Sequence, residues 1–227
     1  MTTIKRNIDS VEKEKLNTRI SEITKSLNIR LNWITISILI GITIASAFHI
    51  YYFDYSNWSL TSKFSVCLAP IGIWVVIEQY FKQKKNGNKE LKSLTEIRNE
   101  GQISVVSIEL KRIAKLEEYE DEGDLYLIET KDKKCIYLWD AEYLLIDDKE
   151  FPSTQIEVYV DDTFKFGIDK KVKCSGNKLT PSIVNGKDKW SFFGKVGFPG
   201  ELQVEEKPFD KIIEEIKNES LTMAKKS

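Results

Sequence analysis

Two long apolar stretches separated by a short polar turn constrain this chain more than anything else in it. Leu31–Phe53 (LNWITISILIGITIASAFHIYYF) runs 23 residues without a formal charge, and Phe64–Phe81 (FSVCLAPIGIWVVIEQYF) runs 18 with one, Glu78. A bilayer core about 30 Å thick takes roughly 20 apolar helical residues to cross. The expectation is a transmembrane helical hairpin, 31–53 and 64–81. The turn Asp54–Lys63 carries a single lysine, whereas Lys25 and Arg30 precede the first stretch and Lys82, Lys84, Lys85, Lys89 and Lys92 follow the second. Short basic flanks stay on the cytoplasmic side, so the reading is a multi-pass inner-membrane protein with both termini cytoplasmic.

Charge divides the 227 residues unevenly. Residues 1–100 hold 14 Lys and Arg against 9 Asp and Glu, and residues 101–227 hold 20 against 26. An acidic C-terminal portion repels phosphate backbones, which argues against nucleic acid as a partner. Cys67, Cys135 and Cys174 lack paired spacing and suggest no disulfide framework. A secretory leader does not fit, because the first apolar stretch begins thirty residues in and exceeds an h-region.

Residues 1–30 read as an N-terminal cytoplasmic amphipathic helix. Asp9 and Glu12 have capping-box spacing, and Val11, Leu16, Ile20, Ile23 and Leu27 recur with a helical period. His49, the chain's one histidine, sits beside Tyr51, Tyr52, Tyr55 and Trp58, an aromatic belt at headgroup depth. Residues 82–101 read as a basic connector containing Gly87 and Asn88.

From Gln102 the period changes to two. Val106/Ile108/Leu110, Leu125/Leu127, Ile136/Leu138, Ile156/Val158/Val160, Phe164/Phe166/Ile168, Val172/Cys174 and Leu202/Val204 alternate with polar residues. Lys131–Lys134, Asp161-Asp162, Ser175-Gly176-Asn177, Asn185-Gly186 and Phe198-Pro199-Gly200 read as turns. Residues 102–227 are therefore expected to form a mainly-β cytoplasmic domain of about eight antiparallel strands, a small barrel or roll. A C-terminal helix over 208–218 presents Phe209, Ile212, Ile213 and Ile216 on one face.

Chemical signatures are sparse. No phosphate-loop, dinucleotide, zinc or nucleophile-elbow motif occurs, and a soluble part without histidine excludes His-based acid–base catalysis there. Glu117–Asp124 (EEYEDEGD) holds six carboxylates but not the alternation of a calcium loop. No catalytic, cofactor-binding or metal residue is assigned, and no cofactor is expected. Asp140, Glu142, Asp147 and Asp148 would form a catalytic set only if buried together. Tyr126, Tyr137, Trp139, Tyr143, Tyr159, Phe164, Phe166, Trp190, Phe192 and Phe193 divide between core and, if the barrel closes, the walls of a ligand site at its mouth.

Gly123-Asp124-Leu125, Ile136-Tyr137-Leu138-Trp139 and Phe151-Pro152-Ser153-Thr154, with Gly194 to Gly200 downstream, resemble uncharacterised bacterial proteins with a two-span anchor. The layout also resembles membrane-anchored β-barrel effectors of bacterial cyclic-nucleotide antiphage systems. That second resemblance implies a barrel that binds a signal and spans that disturb the membrane, and it transfers no site residue. Three functions remain open: a membrane-anchored binding or sensing module, a signal-gated membrane-disrupting effector, and, ranked last, an enzyme using buried carboxylates. The expected partners are the lipid bilayer, with a second copy of the chain and a small nucleotide-like ligand as further options.

Overall fold

The architecture turns on one long strand that belongs to two ladders at once. The computed structural model describes residues 2–28, 60–146 and 148–224, with isolated positions between 37 and 48. Strand β2 (Gln102–Leu116) pairs over its first half with β1 (Thr2–Asn7) and β5 (Ser153–Tyr159). Over its second half it pairs with β3 (Asp124–Thr130) and, in parallel, with β7 (Ser182–Val184). A register shift between Leu110 and Arg112 marks the change, and the extra residue of a bulge bends a strand sharply enough to serve two ladders. β4 (Cys135–Asp140), β6 (Val172–Lys178) and β8 (Val204–Glu205) complete eight strands in the order β6-β5-β2-β3-β4-β8, with β1 and β7 also on β2. Every pairing but β2–β7 is antiparallel. Among the described residues no ladder joins β6 to β8.

The mainly-β fold with a C-terminal helix is as expected, but several elements differ in kind. Phe164, Phe166 and Ile168 lie not on a strand but in helix α3 (Asp162–Ile168). Asp161 caps it, accepting the Phe164 N–H at 2.8 Å, while Phe164 and Ile168 are buried and Phe166 is exposed. Residues at i and i+4 share a helix face, so an apolar pair four apart fits either element. Residues 2–7 form β1, although the helical reading extended over 1–30; helix α1 (Ser10–Leu27) begins only after the Asp9–Glu12 box. That box is closed in both directions, Glu12 N–H to Asp9 Oδ1 at 2.8 Å and Asp9 N–H to Glu12 Oε2 at 2.9 Å. Ser175-Gly176-Asn177 is not a turn but lies within β6, where Gly176 takes a φ of 81° beside an irregularity in the β5 pairing.

The connector expected over 82–101 is helical. Helix α2 runs unbroken from Leu60 to Glu100, 41 residues, and Gly101 follows it with a φ of 66°. Gly87 does not break it; a Cβ there would stand 3.0 Å from Leu27 Cδ2, so the missing side chain lets α1 approach α2. Arg19 meets Glu90 at 2.9 Å along the same pair.

The chain divides into two units, residues 1–12 with 101–227, and residues 13–100. The first of the expected spans, 31–53, lies outside the described residues apart from isolated positions, as do the side chains of residues 60–70. Among the described residues no helix is long and apolar enough to cross a membrane.

In the β unit both faces of the sheet are covered. β3 and β4 are buried along almost their whole length instead of alternating. Successive side chains of a strand point to opposite faces. One set, Tyr126, Ile128, Ile136 and Leu138, therefore packs with Ile108, Ile156 and Val172. The other, Leu125, Leu127, Cys135 and Tyr137, packs with Phe193 of helix α4 (Gly186–Val196) and with Phe209, Ile212 and Ile216 of helix α5 (Phe209–Ala224). Each such aliphatic or aromatic side chain taken from water contributes on the order of 1.5–3 kcal/mol before entropy is counted.

Candidate functional site

Helices α4 and α5 cover the second face incompletely, and the gap between them is the candidate site. Asn185 caps α4, its side chain accepting the Lys187 N–H at 2.9 Å, and so directs Phe192 and Phe193 back toward the sheet. Gly186 permits this entry, because a Cβ there would fall 2.6 Å from the Glu117 carbonyl oxygen. Beyond α4, Gly197 takes a φ of 92° and reverses the chain into Phe198-Pro199-Gly200. α5 starts behind Pro208, with Phe209, Ile212 and Ile216 inward.

The result is a recess of about 270 Å³. Its walls are Tyr137 of β4, Phe192 and Phe193 of α4, Phe198 of the loop and Ile212 of α5, and its rim carries Gln203, Glu205, Lys207 and Glu215. The rings are mutually ordered. Tyr137 and Phe193 meet edge to face at 5.9 Å, and Phe193 and Phe198 lie 5.8 Å apart. Phe198 also contacts Trp139 at 6.0 Å and Trp190 at 5.2 Å. The Trp139 indole N–H donates to the Pro199 carbonyl at 2.8 Å, which fixes the loop over the recess. At the rim Lys207 Nζ lies 2.9 Å from Glu215 Oε2, and Glu205 accepts the Lys207 backbone N–H at 3.3 Å. Burial, followed by the charges of Glu205 and Glu215, pushes the Tyr137 phenol well above its ordinary range. A recess of this size with rings for walls and a few polar groups at its edge suits part of a small molecule.

No family model, curated protein or solved structure matches this chain. Its reading therefore rests on its own side chains.

Of the aromatic residues singled out in the sequence, Tyr137, Phe192 and Phe193 meet at the recess, with Trp139 and Trp190 packed behind it. Tyr126 packs edge to face on Phe151 in the opposite layer, and Tyr159 on Phe164, while Tyr143 and Phe166 are exposed. The recess lies under α4 and α5, not at a barrel mouth. Phe198, Gln203, Glu205, Lys207 and Glu215 were not expected; Phe198 stood in a Pro-Gly stretch that signals only a turn.

The carboxylates serve structure. Asp140 is fully buried and accepts the backbone N–H groups of Leu145 and Ile146 at 3.0–3.1 Å. Burial raises its pKa above the usual carboxylate range, against the pull of those bonds. Glu142 pairs with the buried Lys171, and Asp148 Oδ2 lies 3.1 Å from Lys170 Nζ, out of line for a hydrogen bond. Asp147 lies outside the described residues. In the acidic run, Glu122 pairs with Lys189 at 2.7 Å, Asp124 with Lys115 at 2.8 Å, and Glu118 accepts the Tyr143 hydroxyl. Among the described residues no three His, Cys, Asp or Glu stand together to hold a metal ion. Cys135 and Cys174 are free thiols; burial pushes Cys135 up to about 11 and Cys174 up to about 12, which keeps both protonated and unreactive.

Proposed function

We propose that the chain is a membrane-anchored binding module whose β unit takes a small ring-bearing ligand into the recess beneath α4 and α5. The observation that carries this reading is the recess itself, an open space walled by Tyr137, Phe192, Phe193 and Phe198 where a packed interior would be filled. The anchor is read from Leu31–Phe81. It is supported by the exposure of Ile71, Trp74, Val75, Val76 and Phe81 on α2, large apolar side chains that water does not favour and lipid does. The inner membrane with both termini cytoplasmic follows from the lysines after Phe81.

The test of binding uses the full chain in detergent micelles, titrated with small aromatic compounds while tryptophan emission is followed, since Trp139 and Trp190 both touch Phe198. Saturable quenching that disappears in Phe198→Ala is expected. A set of compounds none of which gives a saturable change, or quenching indifferent to that substitution, removes the reading. Carbonate extraction of cell membranes tests the anchor, with the protein expected in the pellet.

A second reading, the signal-gated effector, is favoured by one feature. The 41 residues of α2 carry the second apolar stretch and run on to Glu100 as one helix, with no break between them. Dye entry into cells on overexpression, lost when Leu31–Phe81 is replaced by an inert anchor, separates an effector from a binder.

A further inference from the structure

We propose that the occupant of the recess is an organic cation, an ammonium or guanidinium group carried on an apolar body. This rests on the recess being a binding site and adds the charge of what it binds. Three charged side chains line the recess, Glu205, Glu215 and Lys207. Lys207 is committed to Glu215 at 2.9 Å. Glu205 accepts the Lys207 backbone N–H at 3.3 Å and shares the field of the same ammonium with Glu215. An occupant therefore meets two carboxylates that share one ammonium, a lining of net negative charge. The walls act in the same direction, because the faces of Phe and Tyr rings are electron-rich and attract cations that have shed part of their water. Glu205 and Glu215 stand close enough to the Tyr137 phenol to add to the rise that burial chiefly causes. A phosphate or carboxylate ligand would meet Glu205 at close range with the one lining cation already engaged, so an anionic nucleotide is disfavoured here.

The test is calorimetry on the full chain in a non-ionic detergent with three probes of one size: benzyltrimethylammonium, benzyl alcohol and benzoate. The cation is expected to bind saturably and at least tenfold more tightly than benzyl alcohol, with benzoate weakest. Glu205→Gln should weaken the cation five- to tenfold. Lys207→Gln, which frees Glu215, should tighten it two- to fivefold, a gain that a misfolded variant does not give. Benzoate binding as tightly as the cation, or both variants leaving the cation's affinity unchanged, overturns the charge assignment. If Phe198→Ala still abolishes benzyl alcohol binding in that case, the recess remains a binding site. Absence of saturable binding by all three probes overturns both.

Discussion

The two faces of the β unit's sheet are built from the same strands and differ in what covers them. On one face Tyr126, Ile128, Ile136 and Leu138 are met by other strands and by Leu145 and Phe151, and the side chains interlock at low exposure throughout. On the other, Leu125, Leu127, Cys135 and Tyr137 are met by two helices, and a recess of about 270 Å³ remains between them. Strand-on-strand closure places side chains at regular spacing and fills the interior. Two helices laid across a sheet touch it along lines, and bulky rings bridge what is left. The difference separates the residues that hold the fold from those free to serve a ligand.

The largest effect is expected where the helical face is tied down, at Lys189 on α4. Its ammonium is fully buried, 2.7 Å from Glu122, 2.9 Å from the Gly123 carbonyl and 5.6 Å from the Trp139 ring centroid. Removing one partner of a buried pair costs about 3–5 kcal/mol because the other charge is left without compensation. Urea denaturation of Lys189→Met should show a loss in that range, and Lys189→Met with Glu122→Gln should recover most of it. Equal stability of the single and double variants would mean the pair is not coupled. On the packed face Leu138→Ala should cost about 2–5 kcal/mol, since its fully buried side chain leaves a cavity between strands that cannot collapse. A loss under about 1 kcal/mol there would show that this face is looser than the recess face, reversing the comparison.

How far each face is legible in the sequence follows from the same contrast. The packed face is announced in part by alternation, at Val106, Ile108 and Leu110 and at Ile156 and Val158. The turn at Lys131–Lys134 and the capping residue Asp9 are readable because their partners are within a few residues, whereas Asn185-Gly186 reads as a turn and instead caps α4. α5 is readable from Phe209, Ile212 and Ile216 at helical spacing. β1 is not, for Ile4 is the one apolar residue in Thr2–Asn7 and its strand character comes from a partner a hundred residues away. α3 is misread because its buried pair, Phe164 and Ile168, satisfies both periods. The recess is invisible for a stronger reason. Tyr137, Phe193, Phe198 and Glu215 are scattered over about eighty residues, and a gap between helices has no periodicity.

Acid should act in opposite directions on Asp140 and on Glu12 and Glu122. Asp140 has a folded pKa raised above its unfolded value, so its ionisation opposes folding at neutral pH. As pH falls through the folded pKa toward the unfolded one, that opposition is relieved and the group's contribution becomes less unfavourable. Glu12 and Glu122 have depressed values, from Arg6 and Lys189 acting against burial, and their contributions are lost as pH falls through their folded pKa. Asp140→Asn keeps an acceptor for Leu145 but cannot titrate. The stability of the unsubstituted protein relative to this variant should therefore rise on acidification from pH 7 toward 4, measured by urea midpoints at each pH. A difference that stays constant, or falls, would show that Asp140 is not held in a destabilised ionised state.

The smallest change in stability is expected at Phe198, 41 % exposed on the loop over the recess. It touches Trp139, Trp190 and Phe193 but faces water on one side, so Phe198→Ala should cost under about 1 kcal/mol, within the range of surface substitutions with modest packing. Its effect on binding should be disproportionate, because removing one wall of a shallow recess opens it to water and takes away the ring on which a ligand would lie. Thermal melting and titration of the same sample give both numbers. If the loss of stability at Phe198 approached that at Leu138, the ring would be part of the core, and the recess face would be a packed face with an incidental hollow.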